Sequence, residues 1–232
     1  MPAWIVLRVV FGVLLAAGGA QPPNAAHANH AQREMLSQLD HHAQSIRDLT
    51  TDFVEEKFTP LLKKPLVSKG RVYIKGERTR WQTITPREST LFTDASQVAI
   101  YFPARATMEL YPIDQRLRAL LVSPVPRVAT LRRHFDIEIT EADTPEQLHL
   151  RLTPKDDALR EFVEELRVTV NVRLGLATRI DMTDPEGDRT VLTFENVRTN
   201  VGLADKDVER RVPPDTTIVR PLEADALSGG RP

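Results

Sequence analysis

Apolar residues recur at steps of three and four in the first part of the chain, and at steps of two thereafter. Leu36, Leu39, Ala43, Ile46, Leu49 and Phe53 are separated by Gln, Asp, His, Arg and Ser. A helix carrying them shows one apolar stripe over about five turns, with His41 and His42 on its polar side. From Phe53 the period shifts towards two, and strands are predicted over residues 53–58, 66–75, 79–85, 90–94, 97–102 and 106–112. Pro60, Pro65, Pro86, Pro103 and Pro112 fall at segment ends, where a missing N–H is tolerated. A helical interruption is predicted over Asp114 to Val122, broken by Ser123-Pro124-Val125-Pro126, with a further turn or two from Val128 to His134. Strands resume over 135–141, 147–153, 162–172, 176–183, 189–198 and 216–219. Asp184-Pro185-Glu186-Gly187 reads as a hairpin turn, and the tail from Leu222 to Pro232 as disordered.

About eleven short strands behind one long helix do not follow a βαβ order. The fold class expected is mainly β (α+β), an incomplete antiparallel β-barrel or half-barrel, because a sheet of that many strands rarely stays flat. Helices cover its concave face.

The leader changes the compartment. Arg8 is the only charged side chain before Arg33, Val9 to Leu15 with Ala16 and Ala17 is apolar, and Ala26-His27-Ala28 offers an A-x-A cleavage site. Residues 1–28 therefore read as a signal peptide, with Ala20 as the other candidate cleavage point. The run is too short to span a bilayer, which takes about 20 residues. Residues 29–221 are expected to form one soluble domain in the periplasm. The chain has no cysteine, which removes disulfides, thiol chemistry and a lipid-modified N-terminus. With 31 basic and 32 acidic residues no global field attracts nucleic acid.

Enzymatic signatures are missing: no G-x-S-x-G elbow, phosphate-cradling glycine loop or H-E-x-x-H. His41 and His42 point about 100° apart on a helix and so do not share one metal easily. No metal, cofactor or catalytic residue is assigned, and the chain is not expected to be an enzyme. The apolar strand positions carry more. Val72 and Ile74 share a strand face, and so do Ile100 and Phe102, Met108 and Leu110, and Ile180 and Met182, because period two places i and i+2 together. Trp81 faces with Thr79. Two readings stay open: a core shared with the first helix, which patterning alone favours, or a wall lining a cavity for an acyl chain, with Met and Trp as adaptable wall residues.

Gly70 to Gln82 followed by Ile84-Thr85-Pro86-Arg87-Glu88 resembles the signature hairpin of the LolA family of periplasmic lipoprotein carriers. Leu91 to Pro103 resembles the next hairpin. Leu152-Thr153-Pro154-Lys155 through Leu166, Ile180, Asp184, Gly187 to Phe194, Asn196 and Asn200 is similar to the family's second half in order and spacing. The resemblance implies a half-barrel whose concave cavity receives lipoprotein acyl chains from an inner-membrane exporter and passes them to an outer-membrane acceptor. It makes Val72, Ile74, Trp81, Ile100, Phe102, Met108, Leu110, Ile180 and Met182 candidate lipid-binding residues, and Leu36, Leu39 and Ile46 the lid helix. The family's Lys-Arg-Pro, whose arginine helps latch the lid, is replaced here by Lys75-Gly76-Glu77-Arg78, so either Lys75 or Arg78 is a candidate substitute latch, or the latch is absent. The expected cargo is a lipoprotein, glycolipid or polyene-type lipid, and the expected state a monomer. The alternative is a sensor or scaffold module that binds a partner envelope protein without ferrying cargo.

Overall fold

The computed structural model describes residues 23–94, 97–112, 123–140 and 144–221. Helix α1 (Pro23–Ser45) precedes six strands: β1 (Asp48–Phe58), β2 (Leu66–Lys75), β3 (Arg78–Thr85), β4 (Ser89–Thr93), β5 (Gln97–Phe102) and β6 (Thr107–Pro112). Helix α2 (Val128–His134) leads into β7 (Phe135–Thr140) and β8 (Gln147–Pro154). The one-turn helix α3 (Asp157–Arg160), β9 (Glu165–Asn171), β10 (Leu176–Thr183), β11 (Arg189–Thr199) and β12 (Thr217–Val219) complete the chain. All strands join one open sheet in the order β12-β6-β5-β4-β3-β2-β1-β11-β10-β9-β8-β7. Neighbours are antiparallel except β12 and β6, which pair in parallel, so the sheet is mainly antiparallel. The predicted 114–122 helix, residues 1–22 of the predicted signal peptide and the predicted 222–232 tail lie outside the described residues. No helix among those described is long and apolar enough to cross a membrane.

The first helix ends earlier than its apolar period suggests. Leu49 and Phe53 belong to β1, and Ile46 lies just past the helix. A four-residue step fits a strand as well as a helix, since four is a multiple of two. Asn200 settles the boundary: its Oδ1 accepts from the Arg47 N–H at 2.8 Å, and its Nδ2 donates to the Ser45 carbonyl at 3.1 Å. The helix end is thereby capped by the residue that follows β11. At α1's last turn Gly175, with φ of 62°, stands where a Cβ would lie 2.6 Å from the His42 Cβ, so only glycine lets the β9–β10 turn come this close.

Ladder register assigns the two faces, because directly paired residues point to the same side. On the helix-bearing inner face, Leu49, Phe53, Val72, Ile74, Leu150, Leu152, Val168, Val170, Ile180, Leu192 and Phe194 join Leu36 and Leu39 of α1, Val128 of α2 and Leu159 of α3 in one core. The outer face of the same strands carries charge: Arg151 lies 3.2 Å from Glu165 and 3.6 Å from Glu138, and Arg179 3.7 Å from Asp181. Beyond β3 the outer face is apolar instead. Phe92, Ala99, Met108 and Leu110 form a second cluster there, with Tyr101 and, from the segment after β11, Val212.

Gly70 is where three strands come closest. A Cβ on it would fall 1.9 Å from the Gln82 carbonyl oxygen and 2.8 Å from the Phe53 ring. Gly70→Ala is expected to destabilise the fold by about 3 kcal/mol or more, as overpacking against backbone does. Gly187→Ala, at φ of 86° with open space around it, should cost about 1–2 kcal/mol for its left-handed conformation alone. Urea unfolding of the two variants measures the difference. Equal losses would remove the close approach as the cause.

Candidate functional site

Phe53, placed by β1 over the bare Gly70, meets Trp81 with ring centroids 5.1 Å apart, and Trp81 meets Phe194 edge-on at 6.0 Å. Such tilted aromatic pairs hold ring positions beyond what area alone would do. Val72 pairs with Trp81, Trp81 with Leu91, Leu91 with Ile100 and Ile100 with Glu109. These residues form one row across the inner face from β2 to β6. Val72 is fully buried, whereas Trp81, Leu91 and Ile100 are half-buried. The row therefore leaves the helix-covered core at the aromatic trio and runs on as a less covered apolar strip. Phe102 lies beside it on the same face.

A polar rim closes the strip. The Arg105 guanidinium sits 4.3 Å from the Phe102 ring centroid and 3.4 Å from Glu109, and the Tyr111 hydroxyl donates to Glu109 at 2.7 Å. That hydrogen bond is the main cause holding the Tyr111 phenol above its usual pKa. A cavity wall of apolar residues with a few convergent polar groups at one edge is the usual form of a small-molecule site.

The candidates divide between the faces. Val72, Ile74 and Ile180 are buried in the core, and Met182 packs against it half-buried, so all four back the helices. Trp81, Ile100 and Phe102 lie on the strip. Met108 and Leu110 do not join them. Tyr101 pairs with Met108 and Ala99 with Leu110, which turns both to the outer face. Period two revealed that each pair shared a side, but only the β5–β6 register says which. Leu36 and Leu39 pin α1 to the core, and Ile46 packs on it from the α1–β1 junction.

The expected latch is replaced. Lys75 turns outward and pairs at 2.7 Å with Asp205, whose carboxyl its donation holds below the ordinary range. Arg78 is exposed and, among the described residues, bonds to neither helix. The link between hairpin and helix runs the other way: Arg127, preceding α2, donates from Nη2 to the Gly76 carbonyl at 3.2 Å. Asp40 of α1 accepts from the Ala129 N–H at 2.9 Å and so ties α1 to the start of α2. Arg127 follows Pro126 at a helix start, which is the only hint of it in the sequence.

On β1 one carboxyl side chain stands on the inner face. Glu55, two residues from Phe53, pairs with Leu192 on one side and Ser68 on the other. Burial pushes its carboxyl above the usual pKa, opposed by the charge of Lys57. The folded value thus lies above the unfolded one, so the folded state binds the proton more tightly and loses stability as pH rises through that interval. Glu55→Gln is expected to raise the melting temperature at neutral pH, with the gain vanishing in acid. Thermal melts of both proteins across the acidic range measure it, and a gain independent of pH would contradict the burial of a charge.

Residues 44–208, more than half of the chain, match the family described as outer membrane lipoprotein carrier protein LolA. An outer-membrane lipoprotein carrier protein of Pseudomonas putida (strain W619) is 25% identical over 221 residues, covering 92% of this chain and 98% of that one. One from Azotobacter vinelandii (strain DJ / ATCC BAA-1303) is 26% identical over 215 residues, covering 91% and 99%. Among solved structures, an uncharacterized conserved protein from Thermus thermophilus superposes with a TM-score of 0.53 at 13% identity, over 82% of this chain and 99% of the other, a likeness of fold alone. The family match over residues 44–208 leads to one conclusion: this chain belongs to the LolA family of outer-membrane lipoprotein carrier proteins.

Proposed function

We propose that this protein shields the acyl chains of lipoproteins, or of a related lipid, while they cross the periplasm from an inner-membrane exporter to an outer-membrane acceptor. The observation that carries the reading is the strip of Trp81, Leu91, Ile100 and Phe102, which continues the inner core beyond the helices and ends on the Arg105–Glu109–Tyr111 rim. An apolar strip suits the methylene chain, and the rim suits its polar linkage. Each CH₂ hidden from water contributes about 0.8 kcal/mol, so a chain of about 16 carbons leaves water for such a strip with roughly 13 kcal/mol in its favour before ordering costs. No chemical step is needed, and the reading assigns none. Release follows when an acceptor binds the chain more favourably than the strip does.

Trp4 and Trp81 are the only tryptophans, so in a Trp4→Phe background fluorescence reports one place. Adding a diacylated lipopeptide is expected to shift Trp81 emission as an acyl chain replaces its surroundings. Leu91→Asp and Ile100→Asp should abolish the shift and cost little stability, because both side chains are only half-buried. Native mass spectrometry of protein purified from the cell envelope should find lipid in the parent and none in the variants. An indifferent spectrum together with lipid-free protein would end the carrier reading.

A further inference from the structure

The β1–β2 loop carries an exposed apolar patch beside lysines. From Lys57 to Gly76 the chain holds Lys57, Lys63, Lys64, Lys69, Arg71 and Lys75 and no acidic residue, within a chain of net charge −1. Three of these cations are used by the fold: Lys57 pairs with Asp188, Arg71 with Asp52 and Lys75 with Asp205. Among the described residues Lys63 and Lys64 pair with no carboxylate. Beside them Leu61 is 91% exposed and Leu62 46%, and Leu66 and Val67 follow at 56% and 41%. Four large apolar side chains exposed within seven residues make a patch, where scattered single ones would need no explanation. The loop holds its form through the Leu62 N–H, which donates to the Thr59 carbonyl at 3.0 Å, and through Pro60 and Pro65. An open cavity of about 340 Å³ lies between Phe58, Pro60, Leu62, Lys63, Lys64 and Pro65 of the loop.

Leucines at a loop tip with two unpaired lysines directly beside them match the layering of a bilayer surface, apolar below and anionic above. Lysine stems extend along apolar material while their ammonium groups stay among the headgroups. We infer that the β1–β2 loop docks on an anionic lipid bilayer, with Leu61 and Leu62 entering the acyl boundary and Lys63 and Lys64 pairing with headgroup phosphates. A free phosphate would use the lysines and leave the leucines in water, which is why the bilayer is the occupant. Docking here brings the β1–β2 end of the sheet, where Leu66 continues the inner face on which Glu55 and Phe53 lie, against the membrane. It does not depend on what the inner face carries.

Sedimentation with vesicles of phosphatidylcholine, alone and mixed with phosphatidylglycerol, tests the docking on protein purified from the cell envelope. The protein is expected to partition to the mixed vesicles in preference to the neutral ones, and less so as salt is raised. Lys63→Glu with Lys64→Glu should weaken that partitioning roughly tenfold or more. Leu61→Asp should weaken it too, and all variants should melt at the parent's temperature, since Leu61 is almost fully exposed. Partitioning that shows no anionic preference, or that the variants leave unchanged, overturns the inference. So does a concentration-dependent dimer that Leu61→Asp dissolves, which would assign the patch to a second copy.

Discussion

The inner face is organised by the close approach of β1, β2 and β3 at Gly70. With no side chain there, the Phe53 ring lies across β2, reaches Trp81 and, with Phe194, closes an aromatic wall. The register shift between Lys69 and Gly70 sharpens the local twist at the same place, as bulges do. On one side of the wall lie α1, α2 and the dense core. On the other the same face continues as the half-buried strip through Leu91 and Ile100. One glycine thus marks where the dense core gives way to the half-buried strip.

The strip can stay less covered because the sheet changes the side on which it is stabilised. Strands β7 to β11 bury their inner face under the helices and turn a ladder of arginines and carboxylates outward. In β4 to β6 the arrangement reverses, with Phe92, Ala99, Met108 and Leu110 packed on the outer face beneath the segment that carries Val212. That segment is held by Lys75 to Asp205 and by Asp48, whose Oδ1 accepts from the Val201 N–H at 2.7 Å. Burial of a Leu, Met or Phe is worth about 1.5–3 kcal/mol, so the second cluster stabilises these strands from the outer side, beside the buried Thr93 and Val98 of the inner one.

The strands, the first helix and the family were legible in the sequence because alternation and turn residues act locally. Val72, Ile74, Ile180 and the α1 leucines were legible as apolar positions for the same reason. The side on which Met108 and Leu110 lie was not, because a strand's pattern is unchanged by turning it over and only pairing with β5 decides. Leu49 and Phe53 looked helical since a four-residue step satisfies both periods. The parallel pairing of β12 depends on where a long segment returns, which three exposed residues do not encode. Lys75 pairs with Asp205 and not with a helix, because alternation turns it to the face opposite Ile74.

The helix pair is positioned by polar contacts and held by burial. Asp40 satisfies an N–H at the start of α2 that the helix itself leaves unpaired, a contribution of about 1 kcal/mol. The Arg127 bond to the Gly76 carbonyl is exposed and adds no more than that. Val128 is fully buried, and Leu36 and Leu39 nearly so, each contributing about 1.5–3 kcal/mol. The hairpin contact is therefore the weakest join around α2, while the join to α1 is backed by shared apolar surface. A displacement that opened the inner face near the β2–β3 turn would break the Arg127 bond first and carry α1 and α2 together. Arg127 fixes where the helix pair meets the sheet, and burial of Val128 fixes how firmly it stays.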